Sequence, residues 1–299
     1  MLPVPLIGES DDNATPQPDD DRLWAVTALI GCLDKPALPQ WAAIETSKAA
    51  VDDVRVWQSR LANEGRDSAI DYLKNARFRA GKGQRSAKDL GSAVHEACER
   101  YALTGTRPDV DAEVRPFLVQ FDKFLQEFQP EFTAVETTVY SPTYGYAGTC
   151  DGFMTVAGER LIFDYKTSRD SYDGRGDPKT PYPEVALQLA GYRFAEMAAV
   201  WRARRFEQFR RRYYLLSVTE RELSVPVPEV DGGVAIQLTP DFYAVHPVRC
   251  DEGVHEAFLY VLEAARWHYE TSKGVVGHPM TPPAPIPVDE TDPFVGLPA

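Results

Sequence analysis

The chain is 299 residues long, enough for one enlarged domain or two ordinary ones. Its composition, with 43% hydrophobic and 26% charged residues, is that of a globular protein, and no apolar run of about 18 residues predicts a membrane span. The four cysteines are scattered and the first residues lack the pattern of a signal peptide, so we expect a cytoplasmic protein and no disulfide framework.

The net charge of −13 argues against a uniformly basic nucleic-acid binder, but much of the negative charge lies at the two ends. Residues 1–21 contain six acidic residues and no Lys or Arg, and residues 285–299 contain three more acids. Without these nine charges, residues 22–284 carry only −4. Both ends are also rich in Pro, so we expect disordered acidic tails at residues 1–21 and 274–299.

Residues 22–85 predict a helical extension at the N-terminal side of the main domain. Residues 40–61 have the periodicity of an amphipathic helix, and residues 67–78 predict a shorter one. A basic stretch without an acid follows, and such a stretch supplies phosphate contacts without reading bases. Its members are Lys74, Arg77, Arg79, Lys82, Arg85 and Lys88. A second basic run, at residues 202–212, is more typical of a solvated helix face.

A helix is predicted over residues 87–103, with Gly91 and His95 one turn apart on the same face. Glycine in the middle of a helix costs about 1 kcal/mol relative to alanine, so Gly91 indicates a close approach to another segment. We expect His95 to lie at that contact. It is either an ordinary core histidine or a metal ligand.

The next helix, over residues 112–128, carries a stripe of four phenylalanines that is typical of core packing. Strands are predicted at residues 132–140, 144–156 and 159–167, with a tight turn centred on Gly158. That turn places Asp151 opposite Asp164 or Tyr165. Because side chains alternate along a strand, Asp164 and Lys166 point to one face and Tyr165 to the other.

Two carboxylates at the end of a buried strand pair are costly unless they serve a common partner. Mg²⁺ and Mn²⁺ take oxygen ligands and keep several waters, so Asp151 and Asp164 suffice for one ion. The alternative is an ordinary surface hairpin in which Asp164 pairs with Lys166.

A further helix is predicted from Pro183 to Val200, with Glu184, Gln188 and Tyr192 on one stripe. This stripe is either functional or simply the polar edge of a packed helix. Beyond it we expect a strand at residues 213–218, a short edge strand at 233–238 and a closing helix at 254–271.

Other chemistry finds little support in the sequence. There is no phosphate-binding loop, so no use of ATP is expected, and no C-x-x-C spacing, so no iron–sulfur cluster is expected. The cysteines are predicted to be small buried hydrophobes. The histidines at 246, 255, 268 and 278 are predicted to lie at the surface or to pack.

Four motifs in order, namely G-x-x-x-H, an aspartate in a glycine-rich turn, D-x-K and Q-x-x-x-Y, span residues 91–192. In this order they resemble the PD-(D/E)XK nuclease superfamily, and most closely its RecB-like branch with phage exonucleases and CRISPR-associated RecB-like exonucleases. The segment at residues 24–38 is similar to the start of phage-type members. The resemblance implies an α/β, restriction-endonuclease-like core over residues 86–273, with a central mixed β-sheet flanked by helices.

The resemblance also implies roles for the motif residues. Asp151, Asp164 and the backbone carbonyl of Tyr165 would bind one or two Mg²⁺ or Mn²⁺ ions, with His95 as a further ligand or outer group. Lys166 would position or activate the attacking water and stabilise charge on the phosphate.

The remaining implied roles concern support of the site. Gln188 and Tyr192 would hold the site or the DNA backbone, and Glu136 would be an outer acidic group, for which Glu131 and Glu184 compete. The sequence departs from the name-giving motif at Cys150, where the family has proline.

The activity that the resemblance implies is that of a metal-dependent DNA exonuclease in phage-type recombination, replication or DNA end processing. Its partners would be DNA and a recombination or single-strand-binding protein, in the cytoplasm of a bacterium or of a phage host. Two alternatives stay open: a structure-specific or nicking endonuclease, and a non-catalytic DNA- or partner-binding module with a nuclease fold.

Overall fold

The structure, a computed structural model, describes residues 22–33, 37–76, 87–199, 213–214 and 223–279. The helices in these ranges are α1 (Val26–Ile30), α2 (Ala37–Asp52), α3 (Val54–Asn63), α4 (Arg66–Lys74), α5 (Ala87–Thr104), α6 (Arg115–Phe128), α7 (Glu184–Arg193) and α8 (Glu252–Tyr269). The strands are β1 (Leu23–Ala25), β2 (Glu131–Ser141), β3 (Tyr146–Val156), β4 (Glu159–Thr167), β5 (Met197–Ala198), β6 (Tyr213–Tyr214), β7 (Val225–Pro226), β8 (Gly232–Leu238) and β9 (Tyr243–Val248).

All strands of the described ranges belong to one mixed sheet in the order β7-β5-β2-β3-β4-β8-β9, with β1 and β6 attached beside β3. The three central strands β2, β3 and β4 are antiparallel, whereas β4 and β8 run parallel. Helices cover both faces. The predicted restriction-endonuclease-like core, a central mixed sheet flanked by helices, is confirmed.

The hairpin of β3 and β4 forms because a two-residue turn connects them. Val156 pairs with Glu159, and the intervening Ala157 and Gly158 both have positive φ, at 49° and 89°. Two positive φ values match the right-handed twist of the flanking strands. The predicted turn around Gly158 is therefore confirmed, and it sets the register that pairs Gly152 with Phe163.

Two hydrophobic clusters lie on opposite faces of the sheet. On one face, Leu29 of α1, Leu189 of α7 and Phe258 of α8 pack with side chains of β3 and β4. On the other face, Val94 of α5 and Phe121 of α6 pack in a separate cluster with further sheet residues. The central strands are thus buried on both sides. Phe117, Phe121 and Phe124 of α6 are core residues, as predicted, whereas Phe128 at the end of the stripe is 37% exposed.

Two predicted elements outside the Gln188 helix differ from the structure. The helix expected over residues 40–61 is broken at Asp53, whose carboxylate accepts a hydrogen bond from Tyr72 Oη at 2.8 Å. The strand at 233–238 is not an edge strand, because β9 pairs with its outer side. Pro247 within β9 removes one backbone donor, which is why the sequence did not predict that strand.

The helix that carries Gln188 ends at Arg193 rather than continuing to Val200. The guanidinium of Arg193 donates to the carbonyl oxygen of Val230 at 2.8 Å and to that of Cys250 at 3.2 Å. The chain then turns back, and the short strand at 197–198 pairs with β2. Strand pairing with an existing sheet outweighs the apolar content that favours a longer helix.

Several predictions lie outside the described residues. These are the two tails beyond residues 22 and 279, most of the strand predicted at 213–218, the second basic run at 202–212, and four members of the first basic run: Arg77, Arg79, Lys82 and Arg85. None of the described helices is long and apolar enough to cross a membrane. Cys98, Cys150 and Cys250 are buried as predicted, and Cys32 is partly exposed.

Candidate functional site

The D-x-K residues lie at the end of β4 and face α7. Lys166 Nζ donates to Gln188 Oε1 at 3.0 Å and contacts the carboxylate of Asp164. The ring of Tyr165 points to the other face, where it meets Phe121 edge-on at 5.6 Å. The predicted alternation of these side chains is therefore confirmed.

Gln188 connects the groups on this face. Its Nε2 donates to Asp164 Oδ1 at 2.7 Å and lies 3.3 Å from Tyr192 Oη, one helical turn further on. The ring of Tyr192 is buried directly over Gly148 of β3. A Cβ atom at Gly148 would lie only 2.4 Å from Tyr192 Cε1, so only glycine leaves room for this ring.

Asp151 lies where β3 and β4 separate. The pairing of these strands runs from the turn to Gly152 and Phe163 and stops there. Beyond that point, Asp151 Oδ2 accepts a hydrogen bond from the backbone N–H of Tyr165 at 2.5 Å. Gly152 is needed beside it, because its φ is +153° and a Cβ atom would lie 2.2 Å from the carbonyl oxygen of Ala134.

His95 reaches the site from α5 on the opposite face. Its Nδ1 lies 3.4 Å from Asp151 Oδ1, and its ring stands edge-on to Tyr165. Gly91, one turn earlier, brings α5 against the end of β4, since a Cβ atom there would lie 3.0 Å from Thr167 Oγ1. The predicted close approach at Gly91 is confirmed, and it is what brings His95 to Asp151.

The three candidate outer acids lie in different places. Glu136 falls opposite Asp151 in the pairing of β2 with β3 and has a φ of +50°, which is strained for a residue with a side chain. Glu131 pairs with Thr155 at the far end of the hairpin, and Glu184 starts α7 one turn before Gln188. The register thus favours Glu136 over Glu131.

Strand geometry predicts that the carbonyl of Tyr165 faces the site. In a strand, the N–H and C=O groups of one residue point to the same side, because paired residues exchange both bonds. The N–H of Tyr165 points to Asp151, so its carbonyl does as well.

Burial and neighbouring charges shift the pKa values of the two carboxylates in opposite directions. Burial and the nearby charge of Asp151 raise the pKa of Asp164 to about 6, although Lys166 opposes this. Burial alone would raise the pKa of Asp151 too, but His95, the Tyr165 N–H and Lys166 hold that pKa below its ordinary value. Burial would lower the pKa of His95, but the charge of Asp151 raises it.

The residues present fit a hard divalent cation bound mainly by two carboxylates. Among the described residues, no three His, Cys, Asp or Glu side chains form a complete ligand group. However, Asp164 Oδ2 is buried, forms an ion pair with the ammonium of Lys166 and accepts no hydrogen bond from the described residues. Mg²⁺ and Mn²⁺ retain several waters, so a carboxylate oxygen from each of Asp151 and Asp164 suffices.

Two predicted DNA contacts fall within the described part of the chain. Lys74 ends α4 and Lys88 lies in the first turn of α5, and both are exposed. Lys88 precedes His95 by two helical turns and therefore lies on the same side of α5.

Gly148 and Thr167 are not among the residues that the sequence motifs predict for the site, but both pack directly against such residues. Their contacts, with Tyr192 and Gly91, join segments that are distant in sequence. The signal that points to Gly148 is a glycine in the interior of a strand, which often marks the close approach of another group.

Neither a family model nor a curated protein matches the sequence. Among solved structures, one similar chain is the alkaline exonuclease LHK-Exo from Laribacter hongkongensis, with 14% identity, 63% of this chain and 83% of that chain covered, and a TM-score of 0.29. Another is SSO0001, with 15% identity, coverage of 66% and 84%, and a TM-score of 0.27. Because both TM-scores are low, we base the functional proposal on the site alone.

Proposed function

We propose that this protein is a metal-dependent deoxyribonuclease that hydrolyses phosphodiester bonds, acting as an exonuclease. One observation carries the proposal: the buried carboxylates of Asp151 and Asp164 lie on neighbouring strands with Lys166 beside them. The side chain of Lys166 is 33% exposed and that of His95 28%, so the buried carboxylates lie next to groups that solvent and substrate reach.

The proposed ligands of Mg²⁺ or Mn²⁺ are Asp151, Asp164 and the carbonyl of Tyr165, with His95 and Glu136 as further candidates. When bound, such an ion supplies Lewis acidity toward the phosphate and toward water. The proposal includes neither ATP nor an iron–sulfur cluster.

In this proposal, Lys166 binds the scissile phosphate. Its ammonium has three protons, of which one is directed to Gln188 Oε1. The ammonium also forms an ion pair with Asp164, and its other protons are available to an oxygen of the phosphate or to the attacking water. Charge-assisted hydrogen bonds of this kind are stronger when water is excluded, as it is around the buried Asp164.

Gln188 and Tyr192 orient the site in this proposal. Gln188 fixes Asp164 and Lys166 at once, and Tyr192 supports Gln188 from the next turn of α7. Exposed Lys74 and Lys88 are proposed to contact the DNA backbone. In the cell, the corresponding role is phage-type recombination, replication or DNA end processing, with a recombination or single-strand-binding protein as partner.

Two other functions would use the same surface. An endonuclease that is structure-specific or nicks DNA differs in how DNA reaches the site rather than in its catalytic groups. A non-catalytic binding module would not require Asp151, Asp164 and Lys166 together. The presence of all three favours a catalytic function over a binding module.

The test is digestion of linear and covalently closed circular DNA, double- and single-stranded, with Mg²⁺, Mn²⁺ or EDTA. The Lys166→Ala variant is compared with Lys123→Ala, which changes an exposed lysine of α6. We expect metal-dependent loss of linear DNA only, reduced about 100-fold or more by Lys166→Ala and unchanged by Lys123→Ala. Cleavage of closed circles would indicate an endonuclease, and full activity of Lys166→Ala would overturn the mechanism.

A further inference from the structure

The loop between β4 and α7 connects the two halves of the proposed site. It covers residues 168–183, directly after Lys166 and Thr167 and directly before the helix of Gln188. Most of it folds as a small hairpin, in which the N–H of Asp173 donates to the carbonyl of Asp177 at 2.8 Å and that of Lys179 to Ser171 at 3.1 Å. The loop therefore has a defined shape.

The hairpin is anchored on the end of β8. Gln237 Nε2 donates to the carbonyl oxygen of Lys179 at 2.6 Å, and the N–H of Ser168 donates to the carbonyl of Leu238 at 3.2 Å. The ring of Tyr172 also packs against Phe242, with 5.8 Å between centroids. These contacts hold the loop beside the end of β4, where Lys166 lies.

One cation of this loop has no acidic partner among the described residues. Arg169 pairs with Glu113 and Lys179 with Asp170, at 3.6 and 3.0 Å. Arg175, at the hairpin tip, is exposed and makes no ion pair within the part of the chain that the structure describes. An unpaired guanidinium presents five donors and suits a phosphate group.

One aromatic ring of the loop is also without a partner. The side chain of Tyr182 is 72% exposed and has no ring contact or hydrogen bond among the described residues. It stands between Pro181 and Pro183, whose rings fix the backbone φ on both sides. An exposed tyrosine offers a large contact area at a low cost in conformational entropy, because its side chain has only two χ angles.

The position of this ring relates it to the proposed cleavage site. Tyr182 precedes Gln188 by six residues, so their Cα atoms lie no more than about 20 Å apart. Successive phosphates of one DNA strand in a duplex are spaced by about 3.4 Å along the axis. A base that meets Tyr182 is therefore within about six nucleotides of a phosphate held at Lys166 and Gln188.

We infer that Tyr182 is a stacking platform for an unpaired base, and Arg175 a phosphate contact, so that the loop binds a single-stranded DNA segment next to the bond that is cleaved. This inference rests on the proposed nuclease function and names the form of its substrate. Stacking on an aromatic ring tolerates any base, because every base has a π-face. Paired bases inside a duplex are already stacked, so the loop selects single-stranded or frayed ends.

The experiment measures binding of the full chain in EDTA, where no cleavage occurs, by fluorescence anisotropy with labelled oligothymidine and with a blunt duplex. We expect Tyr182→Ala to weaken binding of the single strand about 5- to 150-fold and Tyr182→Phe to retain it, because the ring does the stacking. Tyr260→Ala, which removes a ring of 69% exposure on α8, is the matched control and retains wild-type binding. Blunt-duplex binding stays unchanged in all three variants.

A second arm tests Arg175 through salt dependence. Arg175→Gln is expected to reduce the slope of log K against log salt by about 0.7 for the single strand, as loss of one phosphate contact requires. A third arm uses oligothymidine with one abasic position near its end. The wild-type protein is expected to bind this DNA more weakly than intact oligothymidine. Tyr182→Ala is expected to bind the two DNAs equally well.

Wild-type affinity of Tyr182→Ala for the single strand would overturn the inference, as would an equal loss with Tyr182→Phe or an unchanged salt slope with Arg175→Gln. Failure of the proposed nuclease function looks different. It appears as absence of metal-dependent cleavage by the wild-type protein, whatever the binding measurements give.

Discussion

Gln188 Nε2 donates to Asp164 Oδ1 at 2.7 Å while the amide oxygen of the same side chain accepts from Lys166. A carboxylate needs a donor and an ammonium needs an acceptor, and the amide of Gln188 offers both in one group. The orientation of the Gln188 amide is therefore fixed by its neighbours. A glutamate here would satisfy Lys166 but set a second negative charge against Asp164.

Gln188→Glu is accordingly expected to lower the rate of DNA cleavage near pH 7 by about 100-fold, because it removes a donor and repels the ionised form of Asp164. The rate is measured under saturating Mn²⁺, with circular dichroism to check the fold. Gln126→Glu, the same exchange at an exposed position of α6, is the control and leaves the rate unchanged. Equal rates for both variants would show that Gln188 does not orient the site.

Metal binding is expected to depend on pH through Asp164. Its pKa of about 6 lies above the ordinary 3.8, because the charged form is buried and lies near Asp151. A raised pKa means that its contribution to stability is fully present below about pH 4 and is lost as the pH rises through about 6. A divalent cation offsets this loss only where Asp164 is ionised.

The measurement is the increase in melting temperature on adding Mn²⁺ to the full chain. We expect a larger increase at about pH 8 than at about pH 5, where protons compete for Asp164. Asp164→Asn should remove most of the increase at both values. An equal increase at both pH values in the wild-type protein would mean that Asp164 takes no part in binding the metal.

Gly148→Ala is expected to lower the free energy of unfolding by about 1–3 kcal/mol, because the new methyl group would overlap the ring of Tyr192. The effect is measured by urea denaturation. Gly274→Ala is the control, since nothing lies within 4 Å of a Cβ atom there. If the overlap is the cause, Gly148→Ala should cost little in a Tyr192→Leu background.

His95→Asn is expected to weaken Mn²⁺ binding about 10- to 100-fold, whether the imidazole binds the ion or positions Asp151. Isothermal titration calorimetry measures the affinity. His268→Asn, which changes an exposed histidine of α8, should leave it unchanged. If His95→Asn binds Mn²⁺ as tightly as the wild-type protein does, His95 is an ordinary core histidine, which is the other interpretation of the sequence.

The parts of the fold that the sequence predicts well are those set by neighbours along the chain. The β3–β4 hairpin follows from a turn with Gly158 and from two apolar strands, and the facing of Asp164 and Lys166 follows from alternation. Gly91 predicts a close contact because an interior helix glycine has a cost that packing must offset.

The parts that the sequence predicts poorly depend on distant partners. The helix of Gln188 stops at Arg193 because residues near 198 pair with β2, and no local pattern contains that pairing. The place of β8 inside the sheet depends on a strand that contains Pro247. In the same way, the role of Gly148 appears only when the ring of Tyr192, more than forty residues later, is seen above it.

The separation of β3 and β4 at Asp151 determines which inactive variant should be used to trap a complex with DNA. The Asp151 carboxylate takes the backbone N–H of Tyr165 where the strand ladder has ended. Asp151→Ala would leave that buried donor unsatisfied and so disturb the framework as well as the chemistry. Asp151→Asn keeps an oxygen acceptor of the same shape, which makes it the better choice for holding substrate in an intact but inactive protein.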